Sequence, residues 1–195
     1  MATVGPVLVS DLRHFLDIPD DAPAPAKALG VQLARTVHAA SARPTGSAAS
    51  AVGCTRRPGH RPCTEFVMVS RRSNGEIAWS CDTCGDDGVI HGWERSPADV
   101  SELDDSDAEG DAITLLIARE LFDVLRDALV LETACELLLA RAEGSADGVI
   151  LTGRTGTFEE LVQFVASEAN AATGRRRVRP LDKAWESLEA ALANE

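Results

Sequence analysis

The sequence lacks any apolar run of the ~18 or more residues that a membrane-spanning helix needs. Its first residues, MATVGPVLVSDL, also lack the basic stretch ahead of an apolar one that marks a secretory signal peptide. We therefore expect a cytoplasmic protein with no membrane partner. Thiols stay reduced in the cytosol, so closely spaced cysteines are expected to bind a metal and not to form disulfides.

The motifs of several common enzyme classes are also missing. The sequence contains no His-Glu-x-x-His, no Gly-x-Ser-x-Gly and no phosphate-binding loop ending in Gly-Lys-Ser/Thr. The nucleobase deaminase pattern fails as well, because Arg61 and Pro62 follow His60, and Ser80 precedes Cys81. We therefore predict no catalytic residues and favour a protein that is not an enzyme.

Basic residues are scarce in the second half of the chain. The net charge is −12, and residues 96 to 195 hold 21 acidic against nine basic residues, whereas acids and bases balance over residues 1 to 95. This imbalance disfavours a polyanionic partner for the second half, although local basic patches remain possible in the first.

Four cysteines, by contrast, lie close together in the first half: Cys54, Cys63, Cys81 and Cys84. The second pair forms Cys-Asp-Thr-Cys-Gly, a zinc knuckle, since two intervening residues let both sulfurs face one ion and the glycine permits a turn of positive φ. The first pair is separated by eight residues, TRRPGHRP, in which Pro58-Gly59 supplies a turn that could bring the sulfurs together.

The residues between the two pairs have the pattern of a β-hairpin. Residues 64 to 70 form one predicted strand, Asn74-Gly75 a two-residue turn, and residues 77 to 79 the returning strand; Val89-Ile90 and Trp93 would add a third. A sheet of about forty residues buries too little apolar area to fold alone, so the metal would contribute roughly 10 to 16 kcal/mol of apparent binding free energy. Together these features predict a zinc ribbon over residues 51 to 97.

The ligand set has alternatives. Four cysteines would close the coordination of Zn²⁺ and make the site structural, whereas His60 or His91 in place of one cysteine would leave room for an open position. That second arrangement corresponds to a different function, a metal-dependent hydrolase or transferase.

The first part of the predicted ribbon is basic and has aromatic residues nearby. Arginines bind phosphates and aromatic rings stack on bases, so a nucleic-acid or other anion contact is a further alternative. Because the chain as a whole is acidic, the preferred alternative is that the aromatic residues cover a thin sheet and that the arginines are solvated or paired with acids. The candidate contact residues are Arg56, Arg57, Arg61 and Arg72, with Phe66, Trp79 and Trp93 nearby.

The two cysteine-containing segments also support a resemblance. Cys-x-Arg-Arg-Pro-Gly-x-Arg-Pro-Cys at 54 to 63 and Cys-x-x-Cys-Gly-Asp-x-Gly-Val-Ile-x-Gly-Trp at 81 to 93 resemble a group of actinobacterial zinc-ribbon proteins of unknown function. The similarity extends to Val-Leu-Val-Ser-Asp-Leu-Arg-His-Phe-Leu near the start and weakly to the end of the chain. It implies a zinc ribbon with flanking helical parts and carries no known activity.

The flanking segments predict an α+β protein with four parts: an N-terminal helical segment (1–50), the zinc ribbon (51–97), an acidic linker (98–111) and a C-terminal α+β module (112–195). Apolar spacing predicts helices beginning near Ser10-Asp11 and over residues 26 to 42 in the first part. Residues 43 to 50 have linker composition and mark a boundary. Residues 99 to 111 contain seven acids and no base, which is typical of a solvated connector.

The C-terminal module is predicted as strand, two helices, strand, two helices. The strands lie at 113 to 117 and 148 to 151, and the first helices at 121 to 129 and 131 to 142. Thr157 would cap the third helix through Thr-x-x-Glu, Gly174 would end it, and Pro180 would begin the fourth. Cys135 is predicted to be a core residue, and we expect Arg175, Arg176, Arg177 and Arg179 to form structural ion pairs in preference to an anion site.

A predicted closed metal site without a catalytic group beside it favours a function in binding or regulation. The sequence therefore predicts a non-catalytic zinc-ribbon protein that binds a macromolecular partner, with a protein preferred over a nucleic acid.

Overall fold

The structure, a computed structural model, describes residues 8 to 128, 131 to 172 and 175 to 193. The chain divides into two compact units, Met1–Glu102 (unit 1) and Leu103–Glu195 (unit 2). Each unit contains one β-sheet and at least one helix, so the predicted α+β class is confirmed. Within the described ranges, no helix has the length and apolar character needed to cross a membrane.

Unit 1 is a five-stranded sheet with one long helix. Its strands run in the order β1-β5-β4-β3-β2, with β1 parallel to β5 and the other neighbours antiparallel. Short 3₁₀ turns lie at Leu12–Phe15 and Pro58–His60. The elements are β1 (Leu8–Asp11), α1 (Ala24–Ser41), β2 (Gly46–Gly53), β3 (Phe66–Arg71), β4 (Ile77–Ser80) and β5 (Asp87–His91).

The predicted hairpin is present as β3 and β4, and the predicted third strand is β5. Its turn is longer than the two residues expected, because Arg72 and Glu76 are joined by an N–H···O bond of 2.8 Å that leaves three residues between them. Gly75 has φ of 85°, the left-handed conformation that a type I turn followed by a bulge requires. Asn74-Gly75 therefore marked the hairpin correctly and its loop length incorrectly.

The prediction of an unstructured linker at 43 to 50 is wrong, since β2 begins at Gly46. This strand consists mainly of small residues without alternation, so it carries no local signal of a strand. Pairing with β3 stabilises it, and the buried Ser50 hydroxyl donates to the Val67 carbonyl oxygen at 2.6 Å. The predicted boundary between a helical segment and a ribbon therefore falls inside unit 1.

Helix α1 is close to the predicted second helix and packs against β2, β3 and β4. Leu33 and Val37 lie in one apolar cluster with Val69, Ile77 and Ile90. Complete burial of such side chains stabilises a fold by about 1.5 to 3 kcal/mol each. The sheet around the cysteines therefore has a helix-covered core of its own, which the sequence did not predict. The predicted first helix is reduced to the turn Leu12–Phe15, which Asp11 caps.

Unit 2 has a three-stranded antiparallel sheet of order β6-β8-β7 and four helices within its described residues. Helices α2, α3 and α4 contact the central strand β8, and α5 packs on α2 and α4. The elements are β6 (Ala112–Ile117), α2 (Arg119–Ala128), α3 (Thr133–Ala140), β7 (Glu143–Ser145), β8 (Gly148–Arg154), α4 (Thr155–Ala171) and α5 (Arg175–Leu192).

Two predicted helix starts in unit 2 are wrong. Helix α4 begins at Thr155, so Thr157 lies inside it and is buried instead of capping it. Helix α5 begins at Arg175 and contains Pro180. Leu129 and Gly174, predicted as a helix residue and a helix end, lie outside the described residues, as do the side chains of residues 175 to 177.

The acidic segment makes specific contacts in both units. In unit 1, the Val100 N–H donates to the Ser41 hydroxyl oxygen at 3.1 Å. In unit 2, Arg141 forms an ion pair with Asp105 at 2.5 Å, and the Gly156 N–H donates to the Glu109 carbonyl oxygen at 3.1 Å. The border between the units, after residue 102, lies within this segment.

Candidate metal centre

The topology of unit 1 brings both cysteine pairs to one end of its sheet. Cys54 directly follows β2 and Cys63 precedes β3, while Cys81 follows β4 and Cys84 precedes β5. Because β2 to β5 are successive antiparallel neighbours, the loop from β2 to β3 and the loop from β4 to β5 emerge at the same edge. The four thiols that the sequence separates by up to thirty positions thus meet.

The sulfur positions fit one tetrahedrally coordinated ion. The sulfurs of Cys54 and Cys84 are 3.5 Å apart, those of Cys63 and Cys81 are 3.8 Å apart, and all four lie within 4.8 Å of one another. A tetrahedral site with metal–sulfur bonds of about 2.3 Å separates its sulfurs by about 3.8 Å. A disulfide requires about 2.05 Å, and all four cysteines are free thiols.

Backbone hydrogen bonds hold both cysteine-containing loops in place. The Cys54 N–H donates to the Glu65 carbonyl oxygen and the Cys63 N–H to that of Arg56, both at 2.8 Å. These bonds close the loop of residues 55 to 62, hereafter the arginine loop, so its eight residues still return Cys63 to Cys54. In the knuckle, Gly85 adopts φ of 68° and its N–H donates to the Cys81 carbonyl oxygen at 2.9 Å.

The four thiols differ in their burial, and the pKa values of Cys54, Cys81 and Cys84 are not all shifted in the same direction. Cys54 and Cys81 are buried, whereas Cys63 and Cys84 are partly exposed. Burial raises the pKa of the Cys54 and Cys84 thiols above the usual value. Burial also opposes ionisation of Cys81, but N–H groups of Cys84 and Thr83 donate to its sulfur, and its pKa is lowered. Such N–H donors stabilise a thiolate, the form of cysteine that binds metals.

Neither alternative ligand belongs to the cysteine cluster. Among the described residues, the group close enough to share an ion consists of the four cysteines alone. His60 is exposed at the tip of the arginine loop, and the His91 imidazole Nε2 lies 3.9 Å from a carboxylate oxygen of Glu76. The geometry therefore supports the four-cysteine alternative over a set containing histidine.

The four candidate arginines have different surroundings. Arg56 forms an ion pair with Asp86 at 3.0 Å, and Arg72 pairs with Glu76 at 2.9 Å. Arg57 and Arg61 are exposed, and neither forms an ion pair within the described residues. Sequence reasoning missed Asp86, which links the arginine loop to the knuckle. No local pattern identifies it, because its contact with Arg56 depends on the meeting of two loops.

The tryptophans of unit 1 are structural. Trp79 is 8% exposed and Trp93 is 2% exposed. The Trp93 indole N–H donates to the Gly75 carbonyl oxygen at 2.7 Å, and the Arg71 guanidinium lies 5.3 Å from the centre of its ring. Rings in such positions cover the sheet and are unavailable for stacking on a base.

Cys135, the fifth cysteine, is a core residue of unit 2, as predicted, with no exposed surface. Its sulfur lies 3.5 Å from the Thr157 carbonyl oxygen and 3.6 Å from a Glu160 carboxylate oxygen. It has no part in the metal-binding geometry of the other four.

Comparison of the chain with known protein families, with curated proteins and with solved structures gives no match. The assignment of the site therefore depends on the geometry of this chain. The resemblance to actinobacterial zinc-ribbon proteins stays a prediction.

Proposed function

We propose that Cys54, Cys63, Cys81 and Cys84 bind one structural Zn²⁺ and that unit 1 is a zinc-ribbon binding or regulatory module in the cytoplasm. The observation that carries the proposal is the mutual spacing of four free thiols, at most 4.8 Å, at one edge of a sheet. Tetrahedral sets of four thiolates are typical of zinc or iron sites. The Cys-x-x-Cys-Gly knuckle favours zinc.

A structural role is preferred over catalysis because four thiolates complete the coordination of the ion. A catalytic zinc keeps three protein ligands and one open position for water or substrate. A histidine ligand would be the simplest way to reach that arrangement, yet His60 and His91 lie outside the cluster. A metal-dependent hydrolase or transferase therefore has less support than a binding protein.

Bound zinc would join the two loops that hold the cysteine pairs. Packing against the core already holds these cysteines close together. Cys54 and Cys81 belong to the apolar cluster of unit 1, and Cys63 and Cys84 pack against it. Metal binding would thus link the loops to the packed core and contribute folding free energy to unit 1. With the metal bound, the loops from β2 to β3 and from β4 to β5 would be held in fixed positions, in which a partner can bind them.

The metal is tested by elemental analysis of the purified full-length chain, together with Cys63→Ser and, as a matched control, Cys135→Ser. We expect one zinc per chain in the parent and in Cys135→Ser, and at least about tenfold weaker zinc binding in Cys63→Ser because one thiolate is lost. Cobalt substitution should give the absorption of four thiolates, unchanged by small anions.

Two results would contradict the proposal. A folded chain that contains no metal and binds none added would exclude the site. A cobalt spectrum of mixed sulfur and nitrogen ligands that changes with added anions would replace the structural site by one with an open position, and would favour the enzyme.

A further inference from the structure

The arginine loop is longer and more basic than the cysteine cluster requires. Ligand pairs in zinc ribbons are usually separated by about two to four residues, whereas eight separate Cys54 from Cys63. All eight are exposed, three are arginines, one is a histidine and none is acidic. Packing of the core therefore does not account for the length or the charge of this loop.

The loop has a defined shape without partners in the core. The Cys63 N–H bonds to the Arg56 carbonyl oxygen at its base, and the His60 and Arg61 N–H groups bond to the carbonyl oxygens of Arg57 and Pro58 at 3.1 and 3.2 Å. Gly59 and His60 both have left-handed backbones, with φ of 58° and 65°. For His60, which carries a side chain, that conformation is uncommon.

One arginine holds the loop and two face solvent. Arg56 is tied to Asp86 of the knuckle by the 3.0 Å ion pair, which anchors the base of the loop. Arg57 and Arg61, at either side of the turn Pro58–His60, are exposed and form no ion pair within the described residues. A guanidinium is planar and offers paired N–H donors that match a carboxylate.

From this geometry we propose that Arg57 and Arg61 form a docking surface for an acidic segment of a protein partner. The inference rests on the proposed binding role of unit 1 and names the surface and the chemistry of its partner. Two carboxylates spaced along an extended segment would each accept two N–H bonds from one guanidinium. Order in the loop reduces the entropy lost when such a segment binds.

An acidic polypeptide fits this surface better than a nucleic acid. Strong binding to nucleic acid uses many phosphate contacts and exposed aromatic rings. Here two unpaired arginines are available, and Trp79 and Trp93 are buried. The net charge of −12 also repels a long polyanion, whereas a short acidic segment meets only charges within the screening length of about 8 to 10 Å.

The test uses the full-length chain purified in the presence of zinc and a labelled oligo-glutamate peptide, with binding followed by fluorescence anisotropy at an ionic strength of about 0.1 M. Arg57→Glu/Arg61→Glu should bind the peptide at least about tenfold more weakly than the parent. The matched control is Lys27→Glu/Arg95→Glu, which changes the net charge of unit 1 equally outside the loop, at the exposed Arg95 and the partly exposed Lys27, and should bind almost as the parent does. Arg57→Gln/Arg61→Gln removes the two guanidinium groups without adding negative charge that would repel the peptide, so it measures the loss of the arginines alone.

Three outcomes would overturn the proposal: no binding of the peptide by the parent, equal loss in the loop and control variants, or tighter loop-dependent binding of an oligothymidylate of the same length. The last outcome would assign the surface to nucleic acid. Zinc content is measured on every protein. A parent that binds zinc but not the peptide refutes this surface alone, while a parent without zinc refutes the metal site itself.

Discussion

The surroundings of a thiol decide its chemistry, and the five cysteines of this chain fall into two environments. The four at the edge of the unit 1 sheet lie together, next to N–H donors that favour a thiolate at Cys81. Cys135 lies in the core of unit 2, where burial and then the nearby Glu160 carboxylate raise its pKa from 9.0 to about 12. The first environment suits a metal, and the second keeps a neutral thiol.

Cys135 should therefore react slowly with thiol reagents in the folded chain. We expect four cysteines to react quickly once a chelator is added and the fifth only on unfolding, as counted with a chromogenic disulfide.

The stability of unit 2 should depend on pH through Cys135. Because its pKa is higher in the folded state, the Cys135 thiol contributes its full share to the free energy of unfolding below pH 9.0, and this contribution is lost as the pH rises toward 12.

Urea denaturation of unit 2 at increasing pH measures that loss. Cys135→Ala, which removes the titrating group, should show a smaller decrease in stability over the same pH range. Fast modification of Cys135 in the folded chain would show that its site is open to solvent.

At the scale of elements, close packing between β4 and β5 positions the loop that joins them, which contains Cys81 and Cys84. Gly88 in β5 is paired with Trp79 in β4, whose ring covers the space where a side chain would begin. A Cβ at Gly88 would also approach the Leu8 carbonyl oxygen of β1 to 2.7 Å. The position of β5 between β1 and β4 thus depends on a residue without a side chain.

Gly88→Ala should lower the free energy of unfolding of unit 1 by about 2 to 3 kcal/mol, because its Cβ would overlap the Trp79 ring and the ring must move. Gly59→Ala is the matched control: its Cβ would meet nothing within 4 Å, and only the left-handed backbone opposes it, at about 1 kcal/mol. Urea denaturation followed by tryptophan fluorescence in a Trp185→Phe background measures both, since Trp79 and Trp93 lie in unit 1. An equal effect of the two substitutions would contradict the packing argument.

On the scale of the whole molecule, each of the two compact units has buried apolar residues of its own. Unit 1 has the cluster around Leu33, Val37 and Ile90, which includes two of the candidate ligands. Unit 2 has its own buried residues, among them Phe158, Leu161 and Leu188. The metal would therefore contribute directly to the stability of only one of the two units.

Chelation of the metal should destabilise unit 1 and leave unit 2 folded. Amide hydrogen exchange, measured by mass spectrometry before and after addition of a chelator, should increase most over residues 54 to 91 and stay unchanged over β8 and α4. Re-addition of zinc should restore protection. Equal loss of protection in both units would show that their stabilities are coupled.

Local sequence patterns determined much of this protein by themselves. Helical apolar spacing predicted α1, the Asn74-Gly75 signal predicted the hairpin, and short-range cysteine spacing identified the thiols that the structure brings together. Each signal depends on residues near one another in sequence, so it can be recognised without knowledge of the rest of the fold.

Only the tertiary structure decided which of these strands pair and which loops meet. Strand β2 has no strand pattern and exists through pairing with β3, and β1 reaches β5 across more than seventy residues. The link between Arg56 and Asp86 and the exposure of Arg57 depend on the same distant pairings. Hydrogen bonds between strands and burial against α1 join residues that are far apart in the chain, so the local composition of either segment does not reveal them.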